Sequence, residues 1–211
     1  MTSQYVEPIT EAALIKAREE IHAWPEPGWS EFVSCARAIE KLESLGIRTL
    51  CGREVINTEF RAGAVASQVA AALADAKKKG VSEAILARLD GVTGVVGILE
   101  TGRPGPVIGI RAELDCVCVT ESTDPKHRPV AGGYASQRPG LMHACGHDGH
   151  QAVVLGVAEW AVANKDNLCG TIKFCFEPGE EGCRGGRPMA ESGILDDIDF
   201  FYTIHIGCDI P

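Results

Sequence analysis

The segment Met142-His143-Ala144-Cys145-Gly146-His147-Asp148-Gly149-His150 holds three imidazoles, a thiol and a carboxylate. Any fold this chain adopts has to present that segment at the mouth of a helix. Residues 148 to about 164 follow it directly, with Val153, Val154, Val157, Trp160 and Ala161 as the apolar positions. Cys145 and His147 flank a glycine, so both donors can turn toward one point from a loop. Thiolate and imidazole suit zinc and its neighbours among the transition metals. A single histidine in a polar loop is more often incidental, but this density favours a metal site.

Two further clusters fall where strands are expected to end. Glu177-Pro178-Gly179-Glu180-Glu181-Gly182 directly follows the apolar run at residues 171–176. Adjacent carboxylates point in different directions, so one can bind a metal while the other faces a substrate. A cation beside them relieves their repulsion. Taken alone, a Glu-Glu pair is more often a solvated turn. The third cluster is His205, in a last strand expected over residues 200–206 and just before Gly207. Alone it would read as a core histidine; the other two clusters raise its standing.

The rest of the chain supplies the scaffold. Thr10 can cap a helix after Pro8, which Trp24-Pro25-Glu26-Pro27-Gly28-Trp29 breaks. Ser30 is expected to cap a second helix, with Phe32, Ala36, Ile39, Leu42 and Leu45 as its stripe and Gly46 as its end. Residues 47–56 read as extended. Residues 60–90 are alanine-rich and read as a pair of helices inserted between strands. Residues 95–99 and 107–110 suit strands covered on both faces, with a turn at Arg103-Pro104-Gly105-Pro106. Residues 120–141 read as loop and 187–193 as a short helix. Strands alternating with helices imply an α/β sheet layered by helices.

Composition removes several function classes. Twenty Lys and Arg against 29 Asp and Glu leave a net charge of −9, which argues against a nucleic-acid partner. No apolar run approaches the roughly 20 residues of a membrane span, and the polar N-terminus does not read as a signal peptide. Nine cysteines, an odd number without a Cys-x-x-Cys pair, fit a reduced cytoplasmic protein in which most are buried as small hydrophobes. Cys116 and Cys118, two apart on an expected strand, are read as core residues sharing one face. There is no His-Glu-x-x-His, no phosphate-binding loop, no Gly-x-Ser-x-Gly elbow and no dinucleotide fingerprint.

Taken together, MHACGHDGH, EPGEEG and DDIDFFYTIHIG resemble the metal-dependent amidohydrolases related to hippurate hydrolase, aminoacylase and the plant auxin-conjugate hydrolases. His22-Ala23-Trp24-Pro25-Glu26 is similar to that family's early His-x-x-Pro-Glu pattern. The resemblance implies a helix-covered mixed sheet of a zinc-peptidase-like catalytic domain. It also implies metal ligands at Cys145, His147, Glu181 and His205, and a general base at Glu180. The cofactor would be two divalent transition ions, manganese or zinc. His143 and His150 would be structural or outer groups, and Asp148 a helix cap or second-layer residue.

The stretches CGREVIN, TGRPGPV and HRPVAGGYAS narrow the implied substrate to an N-acyl or N-aroyl amino acid, p-aminobenzoyl-glutamate foremost. Glu113 and Glu177 stand where the family commonly has an aspartate and a glutamine. The resemblance also implies a longer chain with a lid and dimerisation domain after the last strand, and a homo- or hetero-oligomer. Residues 1–211 are therefore expected to form the N-terminal part of an incomplete catalytic domain. A truncated remnant that only binds metal or a partner chain is the alternative.

Overall fold

The computed structural model describes residues 5–182 and 184–207. Helix α1 (Glu11–His22) is capped by Thr10, whose side chain accepts from the Ala13 amide. Helix α2 (Phe32–Ser44) is not capped by Ser30: it starts after Glu31, which makes no side-chain cap bond. Glu26 does that work from the preceding loop, accepting from the Val33 and Ser34 amides at 3.1 and 2.8 Å. The segment that breaks the first helix thus closes the start of the next. Gly46, at φ 75°, ends α2 in the left-handed conformation, with the Ile47 amide on the Leu42 carbonyl.

The extended stretch expected at 47–56 shortens to β1 (Arg48–Cys51), because the chain then tightens into 3-10 turns at Gly52–Glu54 and Thr58–Phe60. Gly52 makes this possible, since a Cβ there would lie 2.6 Å from the Leu89 carbonyl oxygen. Helices α3 (Ala66–Lys78) and α4 (Glu83–Leu89) follow and pack on α2.

Strands β2 (Val95–Glu100), β3 (Val107–Glu113), β4 (Thr171–Glu177) and β5 (Phe200–Thr203) complete a mixed sheet in the order β1-β2-β4-β3-β5. The β1–β2 and β2–β4 pairs are antiparallel, whereas β3 runs parallel to both β4 and β5. Alternation along the strands divides the core into two layers. Val95, Leu99, Phe174 and Phe176 join the layer under α2 and α6 (His147–Ala163); Val96, Ile98 and Cys175 join Trp29, Val55, Ile56 and Met189 on the other face. Each fully buried phenylalanine contributes about 1.5–3 kcal/mol.

Three further expectations are corrected. Residues 120–141 are not loop throughout, because Pro129 opens the short helix α5 (Arg128–Gly132). The expected helix at 187–193 is α7 (Gly186–Ala190), followed by turns. Cys116 and Cys118 do not share a buried face: Cys116 is buried and Cys118 exposed, on a stretch that makes isolated bridges from Cys116 to Pro27 and from Val117 to Met142 rather than a strand. Among the seven described cysteines, all free, Cys35, Cys51, Cys116 and Cys175 are buried; Cys183 and Cys208 lie outside the described residues. No helix among the described residues is long and apolar enough to cross a membrane.

Strands β3, β4 and β5 run the same way, with Glu113 paired to Glu177 and Arg111 to Thr203. Their C-terminal ends therefore share one edge, the place where open parallel sheets bind ligands.

Candidate metal centre

Each segment singled out in the sequence arrives at that edge from a different element. Asp115 leaves β3, Glu180 and Glu181 leave β4, His205 lies just beyond β5, and Cys145 and His147 stand at the start of α6. The strand β5 ends at Thr203 rather than reaching Ile206, so His205 sits in an exposed segment instead of a strand. Ligand atoms of Cys145, His147 and His205 all lie within 4.8 Å of one another, and so do those of His147, Glu180 and Glu181. All five residues are thus gathered around one point.

His147 is fully buried, and its Nδ1 lies 2.7 Å from the Asp115 carbonyl oxygen. A carbonyl can only accept, so Nδ1 donates to it, and Nε2 is the nitrogen left to take a proton or a metal. Among the described residues that buried Nε2 has no hydrogen-bond partner, and neither has Glu181 Oε1, 4.0 Å away. His205 repeats the pattern: Nδ1 donates to the Ile206 carbonyl at 2.9 Å, and Nε2 faces Cys145 Sγ at 3.4 Å. Two imidazole Nε2 atoms, a carboxylate oxygen and a thiol converging on one point fit a transition metal.

The local field agrees. Burial works against a charged His147 ring, yet the Asp115 hydrogen bond and the Glu113 charge override it and raise the pKa to about 9. Surroundings that stabilise a proton there also stabilise a metal cation. Burial and the Glu181 carboxylate push the Cys145 thiol up to about 12. A thiolate at that position needs a cation beside it.

Outside the five, Asp115 accepts from the Glu180 and Glu181 amides, both at 3.0 Å, and so fixes the Glu-Glu turn from below. Glu31 accepts from the Gly179 amide at 2.7 Å; burial and the Asp115 charge push its pKa up to about 8. Arg111 pairs with Glu113 at 2.6 Å and also with Glu177. The charge that Glu177 adds to the turn is thereby neutralised. His150 Nε2 accepts from the Ile206 amide at 2.8 Å, so its Nδ1 donates to Glu113 at 2.6 Å. Glu113, His147 and His150 also lie within 4.8 Å, but both nitrogens of His150 are already engaged.

Asp148 is no helix cap, since Gly146 holds the cap position. It sits inside the first turn and binds His22 Nδ1 at 2.8 Å and Arg18 at 2.7 Å, while His22 Nε2 reaches Glu121 at 3.0 Å. The early His-x-x-Pro-Glu segment is therefore structural: His22 ties α1 to α6, and Glu26 caps α2. His143 is buried with neither ring nitrogen partnered among the described residues, and burial lowers its pKa to about 4.

Reading the sequence as separate motifs missed the Asp115 clamp, the Glu31 contact and the Arg111 pairings. A usable signal existed for part of this. Arg111, Glu113 and Asp115 are spaced by two along a strand and its exit, which places them on one side.

Residues 109–211 match the family described as peptidase family M20/M25/M40. The chain is 44% identical over 195 residues to a Haemophilus influenzae homologue of one of the subunits of p-aminobenzoyl-glutamate hydrolase, covering 92% of this chain and 46% of the relative. It is 41% identical to an indole-3-acetyl-aspartic acid hydrolase of Enterobacter agglomerans, covering 92% and 45%. Among solved structures it is similar to the Bacillus subtilis YXEP protein, a dinuclear metal-binding peptidase of the M20 family. The TM-score is 0.68 at 28% identity, over 95% of this chain and 44% of that one. The chain spans about half the length of the relatives it matches.

Proposed function

We propose that the chain, whose residues 109–211 match peptidase family M20/M25/M40, carries the metal-binding part of an amidohydrolase. The reaction is hydrolysis of the amide between an acyl or aroyl group and an amino acid, p-aminobenzoyl-glutamate foremost. The observation that carries the proposal is the pair of buried atoms His147 Nε2 and Glu181 Oε1, without partners among the described residues and set beside Cys145, His205 and Glu180.

Cys145, His147, Glu181 and His205 would hold the metal, for which manganese or zinc both suit the donor set. When bound, two such ions polarise the scissile carbonyl and lower the pKa of a water. Glu180 serves as the base. Its side chain is 30% exposed, and its Oε2 stands 3.6 Å from His147 Nε2, so it reaches both solvent and the centre. The Glu180 carboxylate takes the proton of the attacking water and returns it to the departing amide nitrogen. Asp115 holds the backbone of that turn still while this happens. Two relatives named for glutamate and aspartate conjugates support an acidic amino acid on the leaving side. A relative named for one part of a multi-chain hydrolase supports an oligomer, homomeric or with a second chain. A cytoplasmic location belongs to the same proposal and rests on the cysteine-rich sequence.

Two measurements test it. Cys145→Ser combined with His147→Ala should strip the metal, and equal metal content in wild type and the double variant would reject the centre. The complete enzyme should hydrolyse p-aminobenzoyl-glutamate in preference to hippurate and indole-acetyl-alanine. A clear preference for either of the last two would reject the substrate.

A further inference from the structure

A groove of about 440 Å³ opens beside Glu181, between the Pro27-Gly28 turn and α3. Two guanidinium groups line it, Arg138 and Arg184. Arg138 is held in place: Nη1 donates to the Pro25 carbonyl at 3.1 Å, and Nη2 lies 3.7 Å from Asp75. Arg184 is held only along one edge. Its Nε donates to the Glu181 carbonyl at 3.1 Å, and among the described residues its two Nη atoms have no partner. Two glycines keep room for that free edge. A Cβ on Gly63, which lies at φ 75°, would meet Nη1 at 2.8 Å, and one on Gly28 would meet Nη2 at 3.2 Å.

We propose that Arg184 reads the side-chain carboxylate of an acidic amino acid on the leaving side of the scissile amide, and so determines specificity for glutamate-type conjugates. The inference rests on the amidohydrolase reading above. A guanidinium whose Nη edge is open matches a carboxylate, which takes two parallel hydrogen bonds. Reach is fixed by the chain itself, because Arg184 follows Glu181 by three residues and is bonded to its carbonyl. The groove is large enough for a small amino acid.

Charge makes such a residue necessary. Glu113, Asp115, Glu177, Glu180 and Glu181 crowd the centre, and the chain as a whole carries a net charge of −9. A dianionic substrate needs a cation not already neutralised. Asp75, the other acid in the groove, is within 3.7 Å of Arg138 and 3.4 Å of Lys78 and is answered by them.

The test uses the complete, metal-loaded enzyme with p-aminobenzoyl-glutamate and p-aminobenzoyl-glutamine, which differ only in the side-chain charge. Wild type should prefer the glutamate conjugate by on the order of tenfold to a hundredfold in kcat/KM, the range for a charge-assisted hydrogen-bond pair. Arg184→Met should abolish most of that preference, chiefly through KM. Its hydrolysis of the glutamine conjugate should fall by a much smaller factor, with metal content measured beside both rates. Arg184→Lys should keep part of the preference. Equal losses on both substrates, or a preference preserved in Arg184→Met, would overturn the assignment. A wild type that treats both substrates alike overturns it too, while leaving the amidohydrolase reading intact. A wild type that cleaves neither overturns both.

Discussion

Glu180→Gln in the complete enzyme is expected to keep its metal and lose turnover by on the order of a hundredfold or more, the typical contribution of a general base. The amide has the same size and cannot take a proton. The backbone of the turn should not move, because Asp115 holds the Glu180 and Glu181 amides rather than their side chains. Glu181→Gln should behave differently. Its buried Oε1 has no partner among the described residues and faces His147 Nε2, so replacing one oxygen by an amide group should lower metal affinity along with turnover. Metal analysis beside rate measurement separates the two residues. Equal metal content in both variants would show the assignment to be wrong.

Residues 1–211 expressed without further sequence are expected to associate and to turn over poorly. The sheet ends in β5, whose four residues are all exposed, with Phe200 at 56% and Tyr202 at 58%. One side of β5 pairs with β3; the other has no strand partner among the described residues and lies under large apolar side chains, the arrangement that recruits strands from other molecules. His205 lies just past this strand and inherits its exposure, which leaves the metal centre open to water. Exclusion of water strengthens the electrostatic part of catalysis, so an open centre is a weaker one. Light scattering should find oligomers or aggregates, and Phe200→Lys with Tyr202→Lys should reduce them by placing charge on the edge. Phe201 is the wrong position for that test, because its ring packs over Gly109. A monodisperse 211-residue protein with substantial turnover would refute the expectation.

Much of the candidate site was legible in the sequence because its donor clusters are local. Cys145 and His147 are two residues apart, and Glu180 and Glu181 are adjacent. Their donor types limit the chemistry before any fold is known. The helix starting at His147, the strands bearing Val95 and Phe174, and the break at Trp24-Pro25 were also readable, since hydrophobic period and proline act over a few residues. Helix caps were less so: Ser30 is a good capping type, yet Glu26 reaches in from the loop and takes the amides first. A residue's intrinsic preference yields to a partner that the tertiary fold brings closer.

The sequence by itself determined which residue types could hold a metal and that strands alternate with helices around them. Only the tertiary structure decided that three clusters make one centre. That followed from β3, β4 and β5 running parallel, which brings Asp115, Glu181 and His205 to a common edge although up to 90 residues separate them. It also decided protonation and charge. The Asp115 carbonyl sets the His147 tautomer, Arg111 neutralises Glu177, and the free edge of Arg184 comes to lie beside Glu181. Such pairings depend on distances between remote segments, and no local pattern encodes them.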